Sequence, residues 1–397
     1  MNISKLDQWV RDKEGQKSLT RQEIERIQLF KLNTLLAREK QRNGFYKHLP
    51  ERLEHLSQIS MLPFTTEEDL NLHGHRMVLL SQSQIDRVRT QETSGTTGPV
   101  KRVYYSESDN ERTISFFAAG LSELVYPGEK TMICMPFSGY RGLGELIAEA
   151  IVRLDAIPLA VGIGKTYGEL LQVLDKEQPE TFVGMPVPLL SMLRMRPDSS
   201  LLRALVSADA CPKTVMQKIE ERLGSRLYPH YGSREIGLGG AVTCPAFEGT
   251  HVRENDLIVE IVDQDGRVLP RGKWGELVVT TIQAEAMPLI RYRTGDYTRV
   301  LPEDCPCGSK LNRLDRIVRL GEKSLMKELD DRLFQHEQII DYRVCQKDGV
   351  LNIDGYTKGS CKELPSVLEG YPVQYTWSAV SKNNAPCYIA KRSVQSL

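Results

Sequence analysis

The chain has 397 residues, 40% apolar and 26% charged, with 52 basic residues matched by 52 acidic ones. That length suggests two or three domains with a core large enough to need no disulfide scaffold. Zero formal net charge leaves no basic surplus for nucleic acid, and no stretch reaches the roughly 18 apolar residues of a spanning helix.

The N-terminus, Met1 to Asp7, is polar and lacks the apolar core of a signal peptide. A cytoplasmic protein that binds neither nucleic acid nor membrane is expected. Eight cysteines in such a chain are too sparse for a disulfide framework, so their spacing carries more than their number.

In chain order, residues 20 to 42 read as a long helix. Ile24, Ile27, Leu29, Phe30, Leu32, Leu35 and Leu36 recur at helical spacing, with Thr20 and Glu23 as a capping box. From about 130 to 235 strands and helices alternate. Strands are expected near 131–135, 156–160, 181–183, 202–206 and 226–228, and helices near 142–154, 167–175, 189–193 and 213–223. Such alternation implies crossovers and a largely parallel sheet, whose ligands gather at the carboxyl ends of the strands.

Residues 255 to 300 change character. Leu257 to Val262 and Gly275 to Thr281 are β-rich, and the Asp265-Gly266 and Arg271-Gly272 turns between them suggest an antiparallel subdomain. After Gly321 a small α+β unit is expected, with helices near 325–336 and 361–368 and strands near 339–346, 350–355 and 373–377. The fold class is therefore α/β. It comprises a large domain over 1–320, with a β-rich part at about 241–315, and a small C-terminal α+β lid over 321–397.

Three segments carry chemistry. In Thr93-Ser94-Gly95-Thr96-Thr97-Gly98, two glycines let the backbone turn its N–H groups on a polyanion, four hydroxyls add donors, and Lys101 adds charge. It is either a phosphate cradle or a polar hairpin turn, and it lacks the glycine–lysine order of a Walker loop. Tyr231-Gly232-Ser233-Arg234-Glu235 offers an aromatic ring for a purine and a carboxylate for Mg²⁺, or it is an ordinary loop. Arg291 to Asp296 ends in Thr-Gly-Asp, where Asp296 could accept from ribose hydroxyls or simply close a β-turn.

Together these segments resemble the adenylate-forming enzymes, the acyl-CoA synthetase and nonribosomal adenylation superfamily, and within it the phenylacetate-CoA ligase branch. Asn43 to Tyr46, Leu62 to Leu70, Gly275 to Thr280, Pro288 to Asp296 and Cys305 to Gly308 extend the resemblance over about residues 40 to 320.

The resemblance implies that ATP is used to activate a small-molecule carboxylic acid as acyl-AMP, with coenzyme A as acceptor. The alternatives are a carrier protein, an amine or AMP transfer as acceptor, or an inactive nucleotide-binding regulator. A homodimer is implied as well. In these terms Thr93 to Gly98 and Lys101 meet the phosphates, and Tyr231, Gly232 and Ser233 meet the nucleotide. Glu235 holds Mg²⁺, Asp296 the ribose, and Arg316 the ribose or α-phosphate. Lys391, in a tail resembling Gly-Lys-Ala-Lys-Arg, is the candidate adenylation lysine.

Phe137, Tyr140, Gly184 and His230 are candidates for the acid's pocket. Two departures stand out: Pro99 replaces the usual lysine after the loop, and Val318 to Ser324 lacks the usual Gly-Arg-Ser-Asp-Asp hinge. Finally, Cys244, His251, Cys305 and Cys307 form a Cys3His set suited to a closed structural zinc site, or are four incidental residues. The same branch carries a similar arrangement.

Overall fold

The computed structural model describes residues 3–91, 101–209, 211–319, 324–359, 372–380 and 394–396. The fold is mixed α/β, as expected. The chain divides into two compact units, residues 1–123 with 230–319 and residues 124–229 with 320–397.

In the first unit the helix Arg21–Gln41 starts at the Thr20–Glu23 capping box. Its buried face, Leu32, Leu35 and Leu36, packs with Tyr46, Leu49, Ile258 and Ile290. Each such side chain contributes roughly 1.5–3 kcal/mol by leaving water. The helix Glu107–Leu121, which apolar periodicity did not mark, starts at a Ser106–Asp109 capping box.

Strands Arg87–Gln91 and Lys101–Tyr105 pair antiparallel with Gln91 opposite Lys101. The loop Thr93 to Gly98 falls between these two strands in sequence and lies outside the described residues. The β-rich section is an antiparallel four-stranded sheet in the order Leu257–Val262, Gly275–Thr281, Tyr292–Thr298, Val318–Arg319. A second antiparallel ladder joins residues 230–231, Ala241–Val242, Thr250–Val252 and Arg313–Leu314.

The second unit is built on parallel strands Arg203–Val206, Thr181–Gly184, Lys130–Cys134 and Ile157–Ala160, neighbours in that order. Thr181–Gly184 is buried along its whole length, as a strand covered on both faces must be. The turns at Pro136 and Pro186 leave the carboxyl ends of two adjacent strands, with Cys134 opposite Gly184.

The C-terminal helix Ser324–Leu333 and the strands Ile339–Lys347, Val350–Thr357 and Val373–Ala379 fall close to the expected positions. The described C-terminal residues cluster with 124–229. Physically, Leu329, Leu333, Phe334, Ile339 and Ile340 share one apolar core with Met132, Phe182 and Leu189.

Buried polar ties cross that core. Tyr167 donates to Asp341 Oδ2 at 2.6 Å, and Ser191 donates to the Ile340 carbonyl at 2.5 Å. Arg194 donates to the carbonyls of Phe334 and Ile339. Separation would leave these groups buried without partners or wetted at the cost of the apolar contact. Residues 360–371 and 381–393, with the expected helix 361–368 and Lys391, lie outside the described residues. Among the described residues no helix is long and apolar enough to cross a membrane.

Candidate active site and candidate metal centre

Tyr231 ends the strand Tyr228–Tyr231, and the chain then folds back sharply. A Cβ on Gly232 would stand 1.8 Å from the Leu238 carbonyl oxygen, so only glycine lets this turn close. Leu238 donates its N–H to the Ser233 carbonyl at 2.7 Å, and Gly240 donates to that of Tyr231 at 2.8 Å. Leu238 adopts φ 66°, a left-handed conformation that costs a non-glycine residue ~1 kcal/mol.

Four tethers hold the turn against that strain. The Tyr105 hydroxyl donates to the Arg234 carbonyl, and Arg234 Nη1 donates to the Thr90 carbonyl at 3.0 Å. Arg253 Nη2 donates to the Ile236 carbonyl at 2.7 Å, and Thr113 Oγ1 donates to that of Gly237 at 3.0 Å. Their effect is to fix Glu235.

Glu235 is 8% exposed and faces Lys101, itself 4% exposed. Lys101 Nζ lies 2.5 Å from Glu235 Oε1 and 3.1 Å from Glu67 Oε1. Burial by itself would raise the Glu235 carboxyl, but the Lys101 ammonium and the Ser233 hydroxyl hold it below the ordinary carboxylate value. It is therefore ionised at neutral pH.

Four residues before Glu235, the Tyr231 hydroxyl donates to Asp296 Oδ2 at 2.8 Å. Burial, reinforced by the Asp296 carboxylate, pushes this phenol well above its usual value, so it remains a donor. Asp296 follows Gly295, whose φ of +71° makes the turn, and sits opposite Arg319 in the adjoining strand. Arg316, two residues before that strand, is exposed, with its N–H donated to Asp315 Oδ1 at 2.6 Å. Lys101, Tyr231, Gly232, Ser233, Glu235, Asp296 and Arg316 thus belong to one unit.

A cavity of about 40 Å³ adjoins Glu235, lined by Tyr105, Asp109, Arg112, Arg253 and Asp256 among others. It has room for water and none for a nucleoside. His230 packs against Phe116 and Phe117, with ring centroids 6.0 and 5.8 Å away. Burial, aided by Arg253, depresses its pKa to about 4, so the imidazole is neutral at pH 7.

The other pocket candidates lie in the second unit. A Cβ on Gly144 would meet the Phe137 ring at 2.7 Å, so Phe137 packs on the start of its own following helix. Tyr140 is 64% exposed. Arg141 lies over its ring at 5.4 Å and pairs with Glu149 at 2.9 Å. At Gly184, the end of a central strand, a Cβ would stand 2.4 Å from the Phe182 ring.

Three of the segments that carried the resemblance meet in a buried knot away from Glu235. Tyr46 Oη lies 2.8 Å from Thr65 Oγ1, which donates to the Ile290 carbonyl at 2.6 Å. Thr65 N–H donates to the Arg291 carbonyl at 3.0 Å. Arg291 grips Glu260 with two bonds of 3.0 Å and donates to the carbonyls of Ser60 and Leu62. The first arginine of Arg291-Tyr-Arg-Thr-Gly-Asp296 is thus a packing residue, and the last position of that segment faces Tyr231.

Cys244, His251, Cys305 and Cys307 are all buried, and their ligand atoms lie within 4.8 Å of one another. Cys244 Sγ is 3.7 Å from Cys305 Sγ, and Cys307 Sγ is 3.6 Å from His251 Nε2. Cys244 hydrogen bonds to Cys307, aided by His251, and holds that thiol far below its ordinary value; the same bond holds Cys244 above it. Gly308 turns the Cys305-Pro-Cys knuckle at φ +88° and donates to the Cys305 carbonyl at 2.9 Å. His251 sits opposite both Val242 and Arg313 in the short ladder. The cluster thereby gathers the stretch after Glu235 and the stretch after Asp296.

A family profile described as AMP-binding enzyme matches residues 86–284, half of the chain. A phenylacetate-coenzyme A ligase of Thermus thermophilus is 30% identical over 321 residues, 76% of this chain and 71% of that protein. Its counterpart from Pseudomonas putida is 30% identical over 312 residues, 73% and 69% of the two chains. The chain belongs to the AMP-binding enzyme family, in its phenylacetate-CoA ligase-like branch.

The fold agrees with that of a 2-hydroxyisobutyryl-CoA ligase in the postadenylation state in complex with 2-HIB-AMP. The TM-score is 0.74 at 18% identity, covering 96% of this chain and 90% of the other. Within this AMP-binding enzyme, Glu67, Tyr105, Thr113 and Arg253 serve the site without having been assigned a part in it from sequence. Glu67 lies in the Leu62 to Leu70 segment, which gave no sign of its charge partner. Tyr105 and Thr113 lie more than a hundred residues from the carbonyls they hold, a separation that no local pattern reports.

Proposed function

We propose that this protein condenses a carboxylic acid with ATP to an acyl-adenylate, releasing pyrophosphate. It then passes the acyl group to the thiol of coenzyme A, releasing AMP. The observation that carries this reading is the Tyr231–Asp296 hydrogen bond, 2.8 Å long and four residues from the buried Glu235–Lys101 pair. It joins a ring able to cover a purine to a carboxylate able to accept from a ribose. The phenylacetate-coenzyme A ligases among its relatives give the reaction class.

In the first step a carboxylate oxygen of the acid attacks the α-phosphorus in line, and the bond to the bridging oxygen of pyrophosphate breaks. Asp296 and Tyr231 fix the nucleoside, so binding energy from the remote end orients the reacting phosphorus. Thr93 to Gly98 would surround the leaving phosphates with N–H and hydroxyl donors, and Lys101 would add positive charge. Mg²⁺, which would be held by Glu235, supplies further neutralisation of those phosphates. Arg316 and Lys391 are assigned to the α-phosphate side, where they would steady the charge that develops on its oxygens. In the second unit Phe137, Tyr140 and Gly184 are the candidates for the acid's tail.

The Cys3His cluster fits a structural zinc. Zinc–sulfur bonds of ~2.3 Å at tetrahedral angles put ligand atoms about 3.7 Å apart, against 3.7 and 3.6 Å for two of the pairs here. Four protein ligands leave no open position, so its part is to hold the turn after Glu235 and the knuckle after Asp296 in register.

A second reading keeps the adenylation and gives the acyl group to a carrier protein or an amine. It is favoured by the C-terminal segment, whose core is shared with residues 124–229. Mass spectrometry of products from ATP and a panel of aromatic and short aliphatic acids, with and without coenzyme A, separates the readings. The proposal expects acyl-AMP without the thiol and the acyl thioester with it. Acyl-AMP that accumulates unchanged in the presence of coenzyme A would favour the second reading.

A further inference from the structure

Glu67, Lys101 and Glu235 are not arranged as a simple ion pair. One ammonium serves two carboxylates, at 2.5 Å for Glu235 and 3.1 Å for Glu67. The Glu235 side chain is 7% exposed and that of Glu67 is 51% exposed. One partner is therefore dry and the other is in contact with solvent. Glu67 lies in the first turn of the helix Glu67–His73, whose start is capped by Thr66, so its backbone is fixed. Lys101 opens the strand Lys101–Tyr105, so its backbone is fixed as well. What can move is the flexible four-carbon stem of the lysine.

On the nucleotide reading given above, we propose that Lys101 is a latch on Glu235. Its ammonium occupies the carboxylate that an ATP-bound divalent cation requires, and on metal-nucleotide binding it leaves Glu235 for Glu67 and the phosphates. An ammonium and a divalent cation repel strongly in a site of low dielectric, so one carboxylate does not hold both. Glu67 supplies the displaced charge with a partner 3.1 Å away, which eases entry of the metal. The replacement of the usual loop lysine by Pro99 leaves Lys101 as the nearest ammonium in sequence after the loop. This chain therefore couples phosphate binding and metal binding through a single side chain.

The two carboxylates give the proposal opposite signs to test. Binding of the non-hydrolysable analogue α,β-methylene-ATP to the full chain is measured by calorimetry, with Mg²⁺ and again in EDTA. The ratio of the two affinities is the advantage conferred by the metal, and by linkage it isolates the coupling from any general loss of phosphate contact. Lys101→Met is expected to raise that ratio about tenfold, a typical coupling between sites. Glu67→Gln is expected to lower it, because the latch then has only Glu235.

If Lys101→Met does not fold, Lys101→Arg takes its place. A guanidinium grips Glu235 in two-pronged fashion, and the ratio should fall. A ratio unchanged in Glu67→Gln, or unchanged or lowered in Lys101→Met, overturns the latch while leaving the nucleotide site standing. Wild-type protein that binds the analogue under neither condition overturns both.

Discussion

Around Glu235, one ammonium is shared by two carboxylates at 2.5 and 3.1 Å. In the same unit, Cys244, His251, Cys305 and Cys307 bring four ligand atoms within 4.8 Å. Glu235, Lys101 and all four members of the second cluster are buried, with Glu67 alone reaching solvent, yet the clusters differ in what could replace each member. An ion pair accepts any partner of the right charge, so the first cluster can exchange its lysine for a metal-bound phosphate. Three thiols and an imidazole form a soft tetrahedral donor set with no member to spare, so on the zinc reading the second stays closed. Polar burial serves exchange in one place and fixation in the other.

The largest effect is expected from breaking the fixed cluster. Cys305→Ser should abolish zinc in elemental analysis of the purified protein and lower its thermal midpoint by on the order of 10 °C, as metal binding is folding free energy in such sites. A strong chelator should do the same to the wild type. If neither changes the midpoint, the cluster is merely packed core and the contrast fails.

Next comes the Arg291 knot, a fixed pair that needs no metal. Arg291→Met leaves Glu260 buried without its cation and should cost ~3–5 kcal/mol in denaturant titration. Burial raises the Glu260 carboxyl, which Arg291 partly counteracts. The variant should therefore recover part of that loss as the pH is lowered.

A smaller effect is expected on the exchangeable side. Tyr231→Phe removes the hydroxyl bond to Asp296 and should weaken nucleotide binding by ~1 kcal/mol, about fivefold, with little change in unfolding. An equal loss in both measurements would make the tyrosine a packing residue and shrink the exchangeable cluster to the lysine and its carboxylates.

The smallest concerns His230. Its folded pKa of about 4 lies below the unfolded 6.5. The unfolded chain therefore binds the extra proton first. The stabilisation is complete above pH 6.5 and is lost as pH falls toward 4. Subtracting the stability curve of His230→Gln from that of the wild type should isolate this slope. A flat difference would mean that the imidazole is reached by water.

Much of this was legible in the sequence, for identifiable reasons. The Thr20–Glu23 capping box and the strand–helix alternation are local signals, and the elements fell within a few residues of their expected places. The glycine at 232 and the Cys305-Pro-Cys-Gly308 knuckle also announce themselves, because tight turns and metal ligands restrict residue type.

What escaped is non-local. That Lys101 meets Glu67 and Glu235 depends on three segments separated by more than thirty and more than a hundred residues. Phe137 read as loop packing more readily than as pocket lining, but nothing in the sequence named Gly144 as the surface its ring meets. The partner of the C-terminal segment was not visible. The pattern of Leu329, Leu333, Ile339 and Ile340 says that they are buried without saying against what.

Acid activation at the Tyr231–Asp296–Glu235 site is the central step, and ATP–pyrophosphate exchange measures that step alone. With coenzyme A omitted, the wild type should exchange labelled pyrophosphate into ATP only when a suitable acid is present, and Asp296→Asn and Glu235→Gln should each reduce the rate at least tenfold, about 1.4 kcal/mol or more of transition-state stabilisation. No exchange with any aromatic or short aliphatic acid, in protein shown to bind ATP, would contradict it.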